Sequence, residues 1–235
     1  MSRVVMVSGG ARGLGRAITG RLAADGWQVS VGVRDTNAAR DQLGDLADTV
    51  HIAAYDATDP DAADRWTGET VAAFGRLDAL VNNAGILRMV SFDAGTEDDL
   101  DAMWEVNFKA PFRLCRATLP HLRKTGQGRV ISIASTDGKR YRDATVSLGY
   151  VVTKHALVQL THAVRFAGWD DGVRATAICP GAIDTDMIAG IPGVTPKAKR
   201  LKPETVADAV AFLLTLPNEA SVAEFIPNTR LEPSL

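Results

Sequence analysis

The chain has 235 residues, 46% hydrophobic and 23% charged, a globular balance with enough apolar material for a sizeable core. Its formal net charge of −2 gives no electrostatic pull toward nucleic acid or an anionic membrane. His51, His121, His155 and His162 lack metal-ligand spacing, Cys115 and Cys179 form neither a CxxC motif nor a disulfide framework, and no apolar run is long enough to span a bilayer. Residues 1–8 run directly into a strand-like segment without the apolar region and cleavage site of a secretory signal, so a soluble, cytoplasmic protein with reduced thiols is expected.

Short apolar runs alternate with longer amphipathic stretches. Residues 4–8 read as a strand, followed by a glycine-rich turn and a helical stretch over 14–25. Strands are predicted over 29–33 and 50–54, a helix over 62–74 and a strand over 77–82. A long helix over 97–124 leads into a strand over 129–134, and a helix over 150–167 into a strand over 173–179. A helix over 204–216 and a weaker strand near 222–226 complete the pattern. Several strands are apolar at successive positions, as expected where helices cover both sheet faces. The alternation predicts an α/β fold: a doubly wound parallel β-sheet flanked by helices on both faces. With no repeat or linker, one domain over 1–235 is expected. In open parallel sheets the ligand crevice lies beyond the carboxyl ends of the strands, so the segments after Ser8, Asn82, Ala134 and Cys179 should converge.

The first strand runs into Ser8-Gly9-Gly10-Ala11-Arg12-Gly13-Leu14-Gly15. Gly9 permits a tight turn, Gly13 a close approach to a pyrophosphate, and Gly15 close helix–strand packing. The helix opening through Gly13, Leu14 and Gly15 would present free N–H groups and a positive dipole end to phosphate. At the end of the second strand stand Val33, Arg34 and Asp35. An acid there binds the adenosine ribose diol, whereas an arginine accommodates a 2′-phosphate. Arg34 together with Arg12 favours NADP(H). NAD(H) stays open as the alternative in which Arg34 is solvated and Asp35 takes the ribose.

Tyr150 and Lys154 stand four residues apart on one helix face, Ser135 follows the fifth strand, and Asn107 lies within the long helix. Together with Asn82-Asn83-Ala84-Gly85 and the segment Pro180-Gly181-Ala182-Ile183-Asp184-Thr185, and in this order along nearly the whole chain, these pieces resemble the single-domain short-chain dehydrogenase/reductase family. The resemblance implies a Rossmann-type fold and hydride transfer between a nicotinamide dinucleotide and a small carbonyl or alcohol. It implies that Tyr150 is the general acid/base, that Lys154 lowers the phenol pKa and bonds the nicotinamide ribose, and that Ser135 holds the substrate oxygen. Asn107 would anchor a proton-relaying water, Asp56 and Ala57 would contact adenine, and Asn83, Ala84 and Gly85 would line the adenosine ribose side. Pro180, Gly181, Ile183 and Thr185 would hold the nicotinamide end, and Asn82 would brace the sheet.

The sequence departs from the family pattern at several points. Ser8 stands where threonine is usual, and 15 residues separate Ser135 from Tyr150. The intervening loop carries Lys139-Arg140-Tyr141-Arg142, a basic run that either favours an anionic substrate or is a solvated face. Tyr141 has Thr145 rather than lysine four residues on, which leaves Tyr150 as the catalytic candidate. Residues 187–199, rich in glycine and proline, are a candidate substrate lid. The end of the chain lacks the family's glycine-rich tail, so a homodimer through the 97–124 and 150–167 helices is expected if a homotetramer does not form. Two alternatives of other classes are a catalytically silent NADP-sensing regulator, which need not retain a positioned phenol and ammonium, and a Rossmann-like methyltransferase, which has no use for YxxxK.

Overall fold

The computed structural model describes residues 2–189, 191 and 194–230. Its centre is one all-parallel sheet of β1 (Val4–Ser8), β2 (Gln28–Val33), β3 (His51–Ala54), β4 (Ala79–Asn82), β5 (Arg129–Ile133), β6 (Arg174–Ile178) and β7 (Glu224–Phe225). In space the order is β3-β2-β1-β4-β5-β6-β7, which reverses direction between β1 and β4 and opens the strand-end crevice there. The helices are α1 (Gly13–Ala24), α2 (Thr36–Leu43), α3 (Ala62–Phe74), α4 (Glu97–Trp104), α5 (Ala110–Lys124), α6 (Leu148–Gly168) and α7 (Pro203–Thr215).

Alternation within β1 shows how both faces are covered. Val5 and Val7 pack with Ile18 and Leu22 of α1 and Val206 and Val210 of α7. Val4 and Met6, pointing the other way, join Trp66 of α3, Leu114 and Leu122 of α5 and Val164 of α6. Each fully buried aliphatic side chain of this kind contributes about 1.5–3 kcal/mol over an exposed one. Trp66 occupies the space beside Gly32, where a Cβ would lie 2.6 Å from the indole, and its Nε1 donates to Ser30 Oγ at 2.9 Å.

Two local features differ from the sequence expectation. Helix α2 lies in a stretch too polar and too short to show periodicity; Asp35 starts it by accepting from the N–H groups of Asn37 and Ala38, and Gly44 at φ 60° ends it. The long 97–124 helix is three pieces, because a π turn over Glu105–Lys109 separates α4 from α5. A π turn inserts one residue into an α-helix with no compositional mark, and such turns are common at functional sites. Here it carries Asn107.

Candidate functional site

Ser8 ties the end of β1 to that of β4. Its Oγ accepts from the main-chain N–H groups of Asn83 and Ala84, both at 3.0 Å, while Asn83 Nδ2 donates to the carbonyls of Ser8 at 2.9 Å and Gly9 at 3.2 Å. Asn83 therefore holds the glycine turn in shape. Gly9 and Gly13 have φ of 65° and 50°, and a Cβ on Gly15 would lie 2.0 Å from the Gly9 carbonyl oxygen. Leu14 turns its side chain into the core. Arg12, at the N-cap of α1, offers no side-chain acceptor, so the first N–H groups of the helix and its positive end are left for an external anion. Thr185 packs against Gly13, its methyl 3.4 Å from where a Cβ would stand, which brings the 180–185 segment onto the turn. This cradle fits a dinucleotide pyrophosphate.

At the end of β2, Arg34 is exposed while the Asp35 carboxylate is engaged in capping α2. Arg12 is exposed too, and among the described residues it forms no ion pair. Asp56 accepts from Thr58 N at 2.9 Å and Thr58 Oγ1 at 2.8 Å; these bonds, and then the charge of Arg34, hold its carboxyl below the usual range. The Ala57 carbonyl accepts from Arg113.

Helix α6 carries Tyr150 and Lys154 to the ends of β5 and β6. Ser147 caps it: its Oγ accepts from Tyr150 N and from Val90 N, each at 3.3 Å, and donates to the Arg88 carbonyl at 2.6 Å. Ser135 opens a single helical turn over Thr136–Gly138, its Oγ accepting from Asp137 N at 3.1 Å. Gly138 lets that turn lie against α6, since a Cβ there would stand 2.8 Å from the Lys154 carbonyl carbon. Lys154 is 4% exposed; its Nζ donates to the Ile133 carbonyl at 2.7 Å and sits 5.6 Å from the centre of the Tyr150 ring. Fully buried Asn107 accepts from Ile86 N at 2.9 Å and donates to Ile86 O at 2.9 Å and Thr153 Oγ1 at 3.1 Å. A Cβ on Gly85 would stand 3.3 Å from Asn107 Oδ1 and 3.4 Å from Lys154 Nζ, so the bare glycine leaves the space between them open.

Burial sets the charge states. It pushes the Lys154 ammonium down to about 8. It pushes the Tyr150 phenol well above its ordinary value, Asp137's charge adds to that, and contact with the Ser135 hydroxyl offsets part of it. The expected lowering of the phenol pKa by Lys154 does not appear in this geometry: desolvation dominates, and Lys154 is not among the groups that shift the phenol. What results is a protonated phenol at neutral pH, equipped to donate.

The nicotinamide-side candidates lie beside Ser135. The Pro180 carbonyl accepts from Thr136 N at 3.0 Å, Gly181 N donates to Pro227 O at 2.9 Å, Ile183 bridges to Leu201, and Thr185 N donates to Ile183 O at 2.9 Å. Asn82 is buried, its Nδ2 3.4 Å from Cys115 Sγ and 3.5 Å from Ser132 Oγ. In the basic loop Lys139 pairs with Glu224, which also meets His162, while Arg142 pairs with Asp143 and Tyr141 is exposed. Of the lid candidate, Gly190, Pro192 and Gly193 lie outside the described residues. Among the described residues no cluster of three or more His, Cys, Asp or Glu could hold a metal ion, and no helix is long and apolar enough to cross a membrane.

Three residues of this cluster escaped the sequence reading. Ser147 was legible as an N-cap three residues before Tyr150. Thr153 and Asp137 gave no signal, because what matters about them is what they face across the fold.

A family model described as short chain dehydrogenase matches residues 3–192. The chain belongs to the short-chain dehydrogenase family. An agropine synthesis reductase of Rhizobium rhizogenes is 38% identical over 226 residues, covering 94% of this chain and 51% of that protein, so the chain spans about half the length of that relative. An uncharacterized oxidoreductase of Staphylococcus aureus is 30% identical, over 94% of this chain and 95% of its own. Among solved structures, an alcohol dehydrogenase from the archaeon Thermococcus sibiricus, complexed with 5-hydroxy-NADP, superposes with a TM-score of 0.86 at 30% identity, covering 96% of each chain. An actinorhodin polyketide ketoreductase with NADPH gives 0.86 at 25% identity, covering 97% of this chain and 95% of that one.

Proposed function

We propose that this short-chain dehydrogenase reduces a small carbonyl compound to its alcohol with NADPH, Tyr150 supplying the proton. The observation that carries the proposal is the meeting of the Tyr150 phenol, the Lys154 ammonium and the Ser135 hydroxyl beside the Gly9–Gly15 turn. The turn and the first N–H groups of α1 would hold the pyrophosphate, with Asp56, Ala57, Asn83, Ala84 and Gly85 on the adenosine side and Pro180, Gly181, Ile183 and Thr185 on the nicotinamide side. The preference for NADP(H) over NAD(H) rests on exposed Arg12 and Arg34 together with the engagement of Asp35 as a helix cap.

When bound, the reduced nicotinamide supplies a hydride to the carbonyl carbon. Ser135 donates a hydrogen bond to the carbonyl oxygen and stabilises the negative charge that develops on it. As the carbonyl π pair moves onto that oxygen, Tyr150 gives up its phenolic proton, and the product is the alcohol. Lys154 would bond the nicotinamide ribose hydroxyls and would share its charge with the resulting phenolate. Asn107, held by Ile86 and Thr153, keeps open the space beside Lys154 through which a water replaces the proton.

Residues 187–199 would close over substrate, and exposed Phe112 of α5 with Val152 and Phe166 of α6 support a homodimer through these helices. Replacing Tyr150 with phenylalanine tests the central claim. Turnover should vanish while NADPH affinity, read by fluorescence titration, stays within a few-fold. Near-normal activity would place the acid elsewhere, and a native protein that binds NADPH yet reduces none of a broad panel of carbonyls would favour a cofactor-sensing regulator.

A further inference from the structure

The turn after Ser135 places a second ionisable group at the same site. Thr136 N donates to the Pro180 carbonyl at 3.0 Å, Asp137 N donates to Ser135 Oγ, Gly138 abuts the main chain of Lys154, and His155 Nδ1 lies 2.9 Å from the Gly138 carbonyl. Four contacts thus fix the main chain at residue 137 beside the Ser135 hydroxyl and helix α6, close enough for the Asp137 charge to act on the Tyr150 phenol. The Asp137 side chain is half-buried, and among the described residues nothing forms a hydrogen bond or ion pair with its carboxylate. Arg142, Asp143, Arg140 and Arg230 lie within electrostatic range, and Arg142 is already paired with Asp143.

A carboxylate taken partly out of water normally finds a donor. Here, moreover, it opposes the reaction proposed above: negative charge develops on the substrate oxygen, and Asp137's charge also acts on the Tyr150 phenol that must donate. Both conflicts disappear if the substrate brings a positive charge of its own. We propose that Asp137 selects carbonyl compounds bearing a protonated amine close to the carbonyl, the ammonium donating to the carboxylate while the carbonyl oxygen meets Ser135 and Tyr150. A hydroxyl could donate in the same way but would leave the charge conflict in place. The inference rests on the reductase reading and narrows its substrate class.

The test compares amino ketones with their carbon isosteres, aminoacetone against butanone and N-alkylated homologues against the matching ketones, following NADPH oxidation at neutral pH. The native protein should favour the amine in kcat/KM by about tenfold to a hundredfold, the range of a charge-assisted hydrogen bond. In Asp137→Asn the ratio should collapse toward one, chiefly through KM for the amines, and Asp137→Glu should restore part of it; thermal denaturation confirms that both variants fold. A ratio near one in the native protein, or an unchanged ratio in Asp137→Asn, overturns the inference while leaving the reductase reading intact. If the native protein reduces neither series nor any other carbonyl, the reductase reading falls and takes the inference with it.

Discussion

Lys154 should cost the protein stability at neutral pH, and replacing it with methionine should give that stability back. The side chain is 4% exposed, and burial moves its pKa from 10.5 to about 8. At about 1.4 kcal/mol per pKa unit, holding the ammonium inside costs about 3 kcal/mol. Removing it also leaves the Ile133 carbonyl without its donor, a loss of about 1–2 kcal/mol. Lys154→Met is therefore expected to be about 1–2 kcal/mol more stable at pH 7, raising Tm by roughly 2–8 °C for a chain of this size, and to be catalytically dead. The pH dependence is diagnostic. Below about 8 lysine is charged in both states and the penalty is complete. Between about 8 and 10.5 the unfolded state holds the proton and the folded state does not, so native stability contributed by this group rises with pH. The variant's advantage should shrink across that window and vanish or reverse above it. Paired urea denaturation of the two proteins at pH 7 and near pH 10 measures this, because other titrating groups cancel in the difference. A variant less stable at pH 7, or an advantage independent of pH, would refute the desolvation argument.

Three further outcomes are expected. Arg34→Ala should weaken NADPH by about tenfold to a hundredfold with little change for NADH, in proportion to the loss of a guanidinium–phosphate bond; equal weakening of both in titration would defeat the NADP(H) preference. Ser8→Ala strands the N–H groups of Asn83 and Ala84 and should cost about 1–3 kcal/mol in denaturation together with cofactor affinity, whereas Ser8→Thr should be nearly neutral. Gly15→Ala, a helix-favouring change worth about 1 kcal/mol in an ordinary helix, should instead destabilise the protein and weaken dinucleotide binding, because its methyl meets the Gly9 carbonyl.

The parts of this molecule that could be read from sequence are those whose chemistry is local. Gly9, Gly13 and Gly15 are glycines for reasons of backbone conformation and contact within a few residues, and the Tyr150–Lys154 spacing follows from one helix. The strands were legible because β1 is apolar on both faces. Helix α2 was not, since its starting signal, Asp35, had another plausible use as a ribose ligand, and the helix buries only Ala39 and Leu43. The π turn over Glu105–Lys109 was invisible because one inserted residue leaves the apolar pattern of the flanking helices intact. The charge states were out of reach for a different reason. Whether Lys154 lowers the Tyr150 pKa or burial raises it depends on how completely β5, β6 and the turn after Ser135 close around the pair, a property of packing rather than of spacing.

Charged groups held out of water need a frame that does not yield, and the amino ends of the strands supply one. There Asp78 accepts from Val4 N at 2.8 Å and pairs with Arg76. Arg129 donates to the carbonyls of Gln127, Gly128 and Leu216 and to Asn218, Arg3 to the Leu214 carbonyl, and Arg174 to those of Trp169, Val173 and Asn218. Arg3 and Arg174 also stack 4.1 Å and 3.8 Å from the Trp27 and Trp169 rings. A cavity of about 520 Å³ is lined in part by Arg3, Arg76 and Arg129, but Arg76 is paired with Asp78, and Arg3 and Arg129 donate to main-chain carbonyls where α7 ends, a placement the helix dipole favours. Burial and the charges of Arg174 and Arg3 press the Arg129 guanidinium toward deprotonation, and the carbonyls offset that pressure. The amino ends of the strands are thus tied to the ends of the helices by bonds that gain from charge. This leaves the carboxyl ends able to keep an ammonium, a phenol and a carboxylate where solvation alone would not hold them.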